Sequence, residues 1–195
     1  MTNCEMNLIK MRFRQRIDSL ELDTKRCFWD IKDPDAPGYA FFPPVMYAFA
    51  TIDYFSSYWS GWNQGRRGKN QTDRMIDFMN MYLLYPRKNS QIAINFWRHK
   101  LMHTAEPRIL RNAENDEVYY WKIGINLQQH MILLETDVPN KFILEFDPLA
   151  LVRDLREGVF GLKGYFQELQ TSDDLQKKYC QCLEEMDSYE IKLRG

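Results

Sequence analysis

Residues 45–55 read VMYAFATIDYF, and this stretch decides the fold that the sequence predicts. Pro43 and Pro44 precede it, and proline is tolerated in the first turn of a helix, so we predict a helix over residues 43–59. The segment is apolar nearly all round, which is typical of a helix that is buried on every side. The sequence therefore predicts that this helix lies at the centre of the protein, with Asp53 as its one charged side chain.

Amphipathic helices are predicted on both sides of this segment. Apolar residues recur three, four or seven positions apart in the N-terminal part of the chain, which places them on one helical stripe. A glycine at every third position from Gly158 to Gly164 indicates close backbone packing or a break, since each glycine costs about 1 kcal/mol inside a helix. From periodicity, capping residues and prolines, the other predicted helices cover residues 5–31, 72–85, 90–104, 148–170 and 173–189.

Short segments rich in β-branched and aromatic residues lie between these helices. Such segments are typical of strands, and we predict strands over residues 118–125, 130–135 and 141–146. The predicted fold is mainly α. It is an up-and-down helical bundle with a small antiparallel β-meander inserted between the fourth and fifth helices, in a single domain over residues 1–195.

The composition excludes several classes of protein. Aromatic residues make up 14% of the chain, far too many for a disordered protein. The formal charge of −1 argues against a histone-like or a highly acidic protein. No apolar run approaches the ~20 residues of a membrane span, and the N-terminus has no signal-peptide pattern. The cysteines form no CxxC pair, so we expect a cytoplasmic protein with reduced thiols.

Positive charge is concentrated in one part of the chain. Residues 65–111 carry ten basic and three acidic residues, although the whole chain is nearly neutral. If these cations face one way, they would attract a polyanion such as RNA; if they lie on different faces, they only solvate the surface. Both interpretations stay open. The candidate nucleic-acid-binding residues are Arg66, Arg67, Lys69, Lys100 and Arg108.

The strongest candidate for chemistry is the hexapeptide RHKLMH, from Arg98 to His103, near the end of the fourth predicted helix. Its pattern, R-[N/D/H]-x-x-x-H, resembles the signature of the HEPN family of all-α domains. That resemblance implies a metal-independent endoribonuclease without a cofactor, usually a homodimer with two motifs at a shared cleft. It also implies a toxin or phage-defence system, in which the partners are RNA and an antitoxin protein.

The chemistry of the motif side chains suits RNA cleavage. An imidazole with a pKa of about 6.5 can transfer protons at neutral pH, so His103 is the candidate general base or acid. A guanidinium can donate two hydrogen bonds to phosphoryl oxygens, so Arg98 is the candidate phosphate clamp, with His99 orienting the pair or carrying a second proton. On a straight α-helix, however, Arg98 and His103 would diverge by about 140°. They converge only if the helix ends or bends, or if a second chain supplies the partner.

Other interpretations of these residues remain. His99 and His103 lie four positions apart and could ligate a metal, but the sequence offers no third ligand, so we predict no metal site. The motif cations could also simply favour the dipole at a helix end. Asp53 needs a partner if it is buried, and we hypothesise that it pairs with Arg98 or a motif histidine. The alternative function is a non-catalytic helical module that binds nucleic acid or protein.

Overall fold

Helices make up most of the protein. The structure is a computed structural model, and it describes residues 1–29, 42–62, 70–100 and 109–187. One π-helical segment, Asn95–Lys100, continues directly from the fourth α-helix. The α-helices of the described chain are α1 (Asn3–Trp29), α2 (Phe42–Ser60), α3 (Gln71–Tyr82), α4 (Arg87–Ile94), α5 (Pro148–Phe160), α6 (Tyr165–Thr171) and α7 (Asp173–Asp187).

Helix α2 lies at the centre of the core, as its apolar sequence predicts. Val45, Ile52 and Phe55 have no exposed surface. The helix packs against α1, α3, α5, α7 and the π-helix. Burial of each large apolar side chain stabilises the fold by roughly 1.5–3 kcal/mol, so α2 contributes substantially to the stability of the bundle.

Helix α1 covers one side of α2 through a single apolar stripe. Phe13, Ile17 and Leu20 on this stripe are fully buried. The ring of Phe13 meets the ring of Phe55 edge to face, with centroids 4.9 Å apart. On another side of α2, Tyr179 of α7 stacks on Tyr58 with centroids 4.6 Å apart. The predicted helical stripes therefore face the core.

The strands form one mixed sheet, so the predicted antiparallel meander is wrong. They are β1 (Leu110–Arg111), β2 (Val118–Ile123), β3 (Ile132–Glu135) and β4 (Lys141–Phe146). Their order is β1-β2-β4-β3, in which β2 runs parallel to β4 and the other two pairs are antiparallel. A meander would place β3 between β2 and β4.

Burial explains this strand order. In β4, Leu144 and Phe146 have no exposed surface, whereas Ile132 in β3 is 42% exposed. The more deeply buried strand takes an interior position, where both of its edges are paired, and the shorter β3 lies at the edge. Two bounds also differ from the prediction, because β2 ends at Ile123 and β3 begins at Ile132.

The predicted helix over residues 148–170 is broken at its glycines. Helix α5 is capped by Asp147, whose Oδ1 atom accepts hydrogen bonds from the N–H groups of Leu149 and Ala150. It ends at Phe160, and α6 begins after Gly164. A Cβ atom on Gly158 would lie 2.7 Å from the carbonyl oxygen of Tyr82. The glycines therefore provide both a break and a close contact between α5 and α3.

The fourth predicted helix, residues 90–104, also differs from the structure. It begins earlier, at Arg87, and leaves α-helical geometry at Asn95. Its last four predicted residues lie outside the described part of the chain. Among the residues that the structure describes, no helix is both long and apolar enough to cross a lipid bilayer.

Candidate functional site

The π-helix sets the direction in which the motif side chains leave the chain. Each N–H group in a π-helix bonds to the carbonyl five residues earlier, so the segment turns differently from the α-helix before it. Trp97 anchors it, because its indole is fully buried and lies 5.4 Å, centroid to centroid, from the ring of Phe146. Arg98 and His99 follow Trp97 and line a cavity beside α2. Short π-helical segments are frequent at functional sites.

Asp53 of α2 is the acceptor around which this site is built. Its Oδ2 atom lies 3.9 Å from Arg98 Nη2, and its Oδ1 atom accepts a hydrogen bond from Arg74 Nη2 at 3.3 Å. Gln71 Nε2 also donates to Oδ2. One carboxylate therefore faces two guanidinium groups, and these three side chains together carry one net positive charge. Such a cluster favours an anion nearby.

Arg74 is the buried member of the cluster. Its side chain is only 6% exposed, against 24% for both Asp53 and Arg98. Its Nη2 atom also donates to Ser57 Oγ at 3.1 Å, and Ser57 in turn donates to the carbonyl oxygen of Asp53 at 2.8 Å. Because Asp53 and Ser57 are one turn apart on α2, the helix itself fixes the acceptors of Arg74. The Asp53 carboxylate is thereby held where Arg98 can reach it.

His99 is held by α3. Its Nε2 atom lies 3.1 Å from Thr72 Oγ1, within the first turn of that helix. The imidazole is partly buried rather than free in solvent.

The cavity beside these side chains has a volume of about 280 Å³. Its polar members are Asp53, Arg98 and His99, and its remaining lining is apolar: Met46, Phe49, Ala50 and Trp97. Trp97 Nε1 is buried and has no hydrogen-bond partner among the described residues. Apolar walls with a few converging polar groups are typical of small-ligand sites. This one offers the Arg98 guanidinium as a donor, which suits a ligand rich in acceptors.

The structure brings Arg98, His99 and Asp53 together but leaves the rest of the predicted site undescribed. His103, Arg66, Arg67, Lys69 and Arg108 lie outside the described residues. Lys100 ends the π-helix, and its side chain also lies outside the description. The distance between Arg98 and His103 therefore stays a prediction, as do the catalytic roles of the motif.

Carboxylates lie beside four of the basic residues that the structure describes in the predicted basic region. Arg87 pairs with Asp77, and Lys88 Nζ lies 3.0 Å from Glu117 Oε1. Arg74 and Arg98 share Asp53. The charge concentration in the sequence is therefore not one open basic surface within the part of the chain that the structure describes.

Sequence reasoning overlooked Arg74, Gln71 and Thr72 as members of the site. The signal for Arg74 was present, because it lies four positions before the fully buried Phe78 and thus on the apolar stripe of α3. A cation on a buried stripe needs an anion, and Asp53 is the only charged side chain of the neighbouring apolar helix. Gln71 and Thr72 carried no comparable signal.

A second polar cluster surrounds His130. The N–H of Asp147 donates to His130 Nδ1 at 2.9 Å, so this nitrogen is unprotonated and Nε2 carries the proton. His130 Nε2 lies 3.0 Å from Tyr85 Oη, which donates to Asp154 Oδ2 at 2.6 Å. Burial lowers the pKa of His130 to about 4, so the ring is neutral at pH 7. These contacts connect His130, which lies just before β3, to α5.

Comparison with known proteins adds no relative to this description. The chain matches no known protein-family model, no curated protein and no solved structure. A functional assignment therefore depends on the geometry around Asp53 and on the motif that contains Arg98.

Proposed function

We propose that the protein is an HEPN-like, metal-independent endoribonuclease of a toxin or phage-defence system. The observation that carries the proposal is the placement of Arg98 beside Asp53, at a cavity that His99 also lines. Two side chains of the hexapeptide motif thus converge on a pocket with excess positive charge. An RNA phosphate is an anion of the kind that such a pocket attracts.

The proposed reaction needs only proton transfer and charge stabilisation. The 2′-oxygen of the RNA attacks the adjacent phosphorus and loses its proton to an imidazole, and the P–O bond to the 5′-oxygen breaks. The leaving 5′-oxygen takes up a proton from a second group, and a 2′,3′-cyclic phosphate remains. We assign His103 as the base or acid, His99 as its helper and Arg98 as the donor to the phosphoryl oxygens.

Asp53 acts in this scheme as a positioning residue. Its carboxylate limits the directions that the Arg98 guanidinium can take, and Arg74 and Gln71 fix the carboxylate in turn. Orientation of a reacting group in advance lowers the entropic cost of the reaction.

Further parts of the proposal concern binding and assembly. Arg66, Arg67, Lys69, Lys100 and Arg108 would contact the RNA backbone. An up-and-down arrangement of the helices, a homodimer with two motifs at one cleft and inhibition by an antitoxin protein complete the HEPN-like scheme.

Cleavage of labelled total RNA in the presence of EDTA tests the proposal. We expect wild-type protein and the control Arg14→Ala to cut, and Arg98→Ala and His103→Ala to lose activity at least ~100-fold, the lower end of a typical acid–base contribution. Arg14 is an exposed residue of α1 and belongs to no part of the proposed site. Cleavage that persists in both motif variants would overturn the nuclease assignment.

The second candidate is a non-catalytic module that binds RNA or protein through the same scaffold. The observation that favours it is that Arg98 and His99 are already engaged, by Asp53 and Thr72. In the same experiment, RNA binding without cleavage by the wild-type protein would support this module.

A further inference from the structure

A second cleft lies between α1 and α2, separate from the Asp53 cluster. Its volume is about 320 Å³. It is lined by Arg12, Gln15, Arg16 and Ser19 of α1 and by Tyr47 and Tyr54 of α2. None of these residues takes part in the contacts around Arg98, so an inference about this cleft does not rest on the proposed nuclease activity.

The two arginines of the cleft repel each other. Arg12 and Arg16 lie one turn apart on the same helical face, where like charges destabilise a helix by a few tenths of a kcal/mol. Within the described chain, neither guanidinium is paired with a carboxylate, and no acidic residue lines the cleft. By contrast, Arg156 contacts both Asp18 and Glu21 on the same helix α1. Among the described residues, the cleft thus holds two positive charges without a counterion.

Aromatic rings hold one of these charges in place. The guanidinium of Arg16 lies over the ring of Tyr54, 4.9 Å from its centroid, and 5.6 Å from the ring centroid of Tyr47. Its Nε atom is buried and makes no hydrogen bond to the residues that the structure describes. Cation–π contacts stabilise the charge only in part, and an unbonded buried donor is costly. Arg16 is therefore fixed in position with part of its bonding capacity unused.

The remaining polar groups of the cleft are neutral and can donate hydrogen bonds. Burial raises the pKa of the Tyr54 hydroxyl, so it keeps its proton near neutral pH. Ser19 and Gln15 add a hydroxyl and a carboxamide. Two cations, neutral donors and no carboxylate suit an oxyanion, and the planar guanidinium groups match the oxygens of a phosphate.

We propose that this cleft binds the phosphate group of a nucleotide. Its volume lies at the small end of the range for ligand pockets, about 300–1,000 Å³, which suits a mononucleotide unit. The phosphate can belong to a free mononucleotide or to the backbone of single-stranded RNA. Both sources present the same group to Arg12 and Arg16.

Titration calorimetry of the full-length chain tests the proposal with three probes: inorganic phosphate, AMP and a short single-stranded RNA. We expect Arg12→Ala and Arg16→Gln each to weaken binding of AMP about 10-fold or more, as the loss of a charge-assisted hydrogen bond requires. The matched control is Arg14→Ala, because Arg14 lies on the same helix with its guanidinium over the ring of Phe160 and outside the cleft. Its affinity for AMP should stay within about twofold of wild type.

The probes distinguish the sources of the phosphate. If AMP binds more tightly than the RNA, the natural ligand is a free nucleotide. If the RNA binds more tightly, the ligand is the RNA backbone. In both cases Arg12→Ala should weaken the binding of both probes. Arg12 is exposed, so this variant should keep the wild-type melting temperature even if Arg16→Gln loses packing against the tyrosines. The proposal is overturned if wild-type protein binds none of the probes at millimolar concentration, or if Arg14→Ala loses as much affinity as Arg12→Ala.

Discussion

Arg74 and Asp53 form an ion pair whose two members differ in their access to water. Arg74 is 6% exposed and Asp53 is 24% exposed. Removal of the carboxylate alone would leave a buried cation without a counterion, which is far more costly than the loss of a pair at the surface. The site around Arg98 is therefore also part of the stability of the bundle.

We expect Asp53→Asn to lower the free energy of unfolding by about 3 kcal/mol, measured by urea denaturation. The double variant Asp53→Asn/Arg74→Met should recover at least about half of that loss, because an apolar side chain then replaces the buried charge. The control is Asp18→Asn in an ion pair with Arg156, where Asp18 is 60% exposed. Its effect should stay below about 1 kcal/mol. A double variant less stable than Asp53→Asn would contradict this account.

His130 makes the stability of the protein depend on pH. Its pKa is about 4 in the folded protein, below the ordinary value of 6.5, since burial disfavours the charged ring. Between these values the unfolded chain binds the proton and the folded chain does not. The contribution of the neutral ring is thus complete above pH 6.5 and is lost as the pH falls to about 4.

The expected loss over that window is about 3 kcal/mol, from the free energy that corresponds to each pKa unit. Urea denaturation at several pH values measures it, with His130→Gln as the comparison. The variant should show a much smaller slope between pH 6.5 and about 5, above the range in which paired carboxylates lose their contribution. Equal slopes in the two proteins would show that other groups cause the dependence.

Gly158 shows how the packing of two helices limits the sequence of one of them. Alanine favours a helix over glycine by about 1 kcal/mol. However, a Cβ atom at Gly158 would lie 2.7 Å from the carbonyl oxygen of Tyr82, which is backbone and cannot rotate away. At this position, the contact between α5 and α3 outweighs helix propensity.

We expect Gly158→Ala to destabilise the protein by about 1–3 kcal/mol, the usual cost of overpacking. Arg153→Ala, at an exposed position of α5, serves as the control and should change the stability by less than about 0.5 kcal/mol. Thermal denaturation followed by circular dichroism compares the two. A higher melting temperature for Gly158→Ala than for the wild-type protein would show that α5 can move away from α3.

The elements differ in how far the sequence predicts them. Helical stripes on α1 and α2 are visible because residues that share a face recur with the helical period. The pairing of β2 with β4 cannot be predicted from the sequence, since the alternation of apolar and polar residues within a strand does not specify which strands lie beside it. In the site, Asp53 and Arg98 stand out as charges in unusual surroundings. No sequence pattern predicts the π-helix, because the change from α-helical to π-helical geometry depends on how Trp97 packs in the core.

The burial of α7 against the rest of the bundle determines which thiols react. Cys180 is exposed, whereas Cys182, on the same helix, has no exposed surface. Burial raises the pKa of the Cys182 thiol to about 12, so little thiolate forms near neutral pH. Reaction of Cys182 with a thiol reagent therefore requires α7 to separate from the core.

We expect Cys4 and Cys180 to react promptly with a chromogenic disulfide reagent at pH 8, and Cys182 only at the rate at which the protein opens. Peptide mapping of the labelled protein as a function of time and urea concentration follows each thiol. Cys180 is the internal control for reagent access. Prompt labelling of Cys182 without urea would mean that α7 is not part of the stable core.

The parallel pairing of β2 with β4 has a consequence for the order of folding. Strands β3 and β4 are neighbours in the chain and can close as a hairpin. Strand β2 pairs with residues much further along the chain, as Tyr119 does with Phe142. Contacts between distant residues form late, since a long loop must lose its freedom first. In pulse-labelling hydrogen exchange, the β3–β4 amides should become protected before those of β2. Simultaneous protection of all three would instead indicate that the sheet assembles in one step on α2.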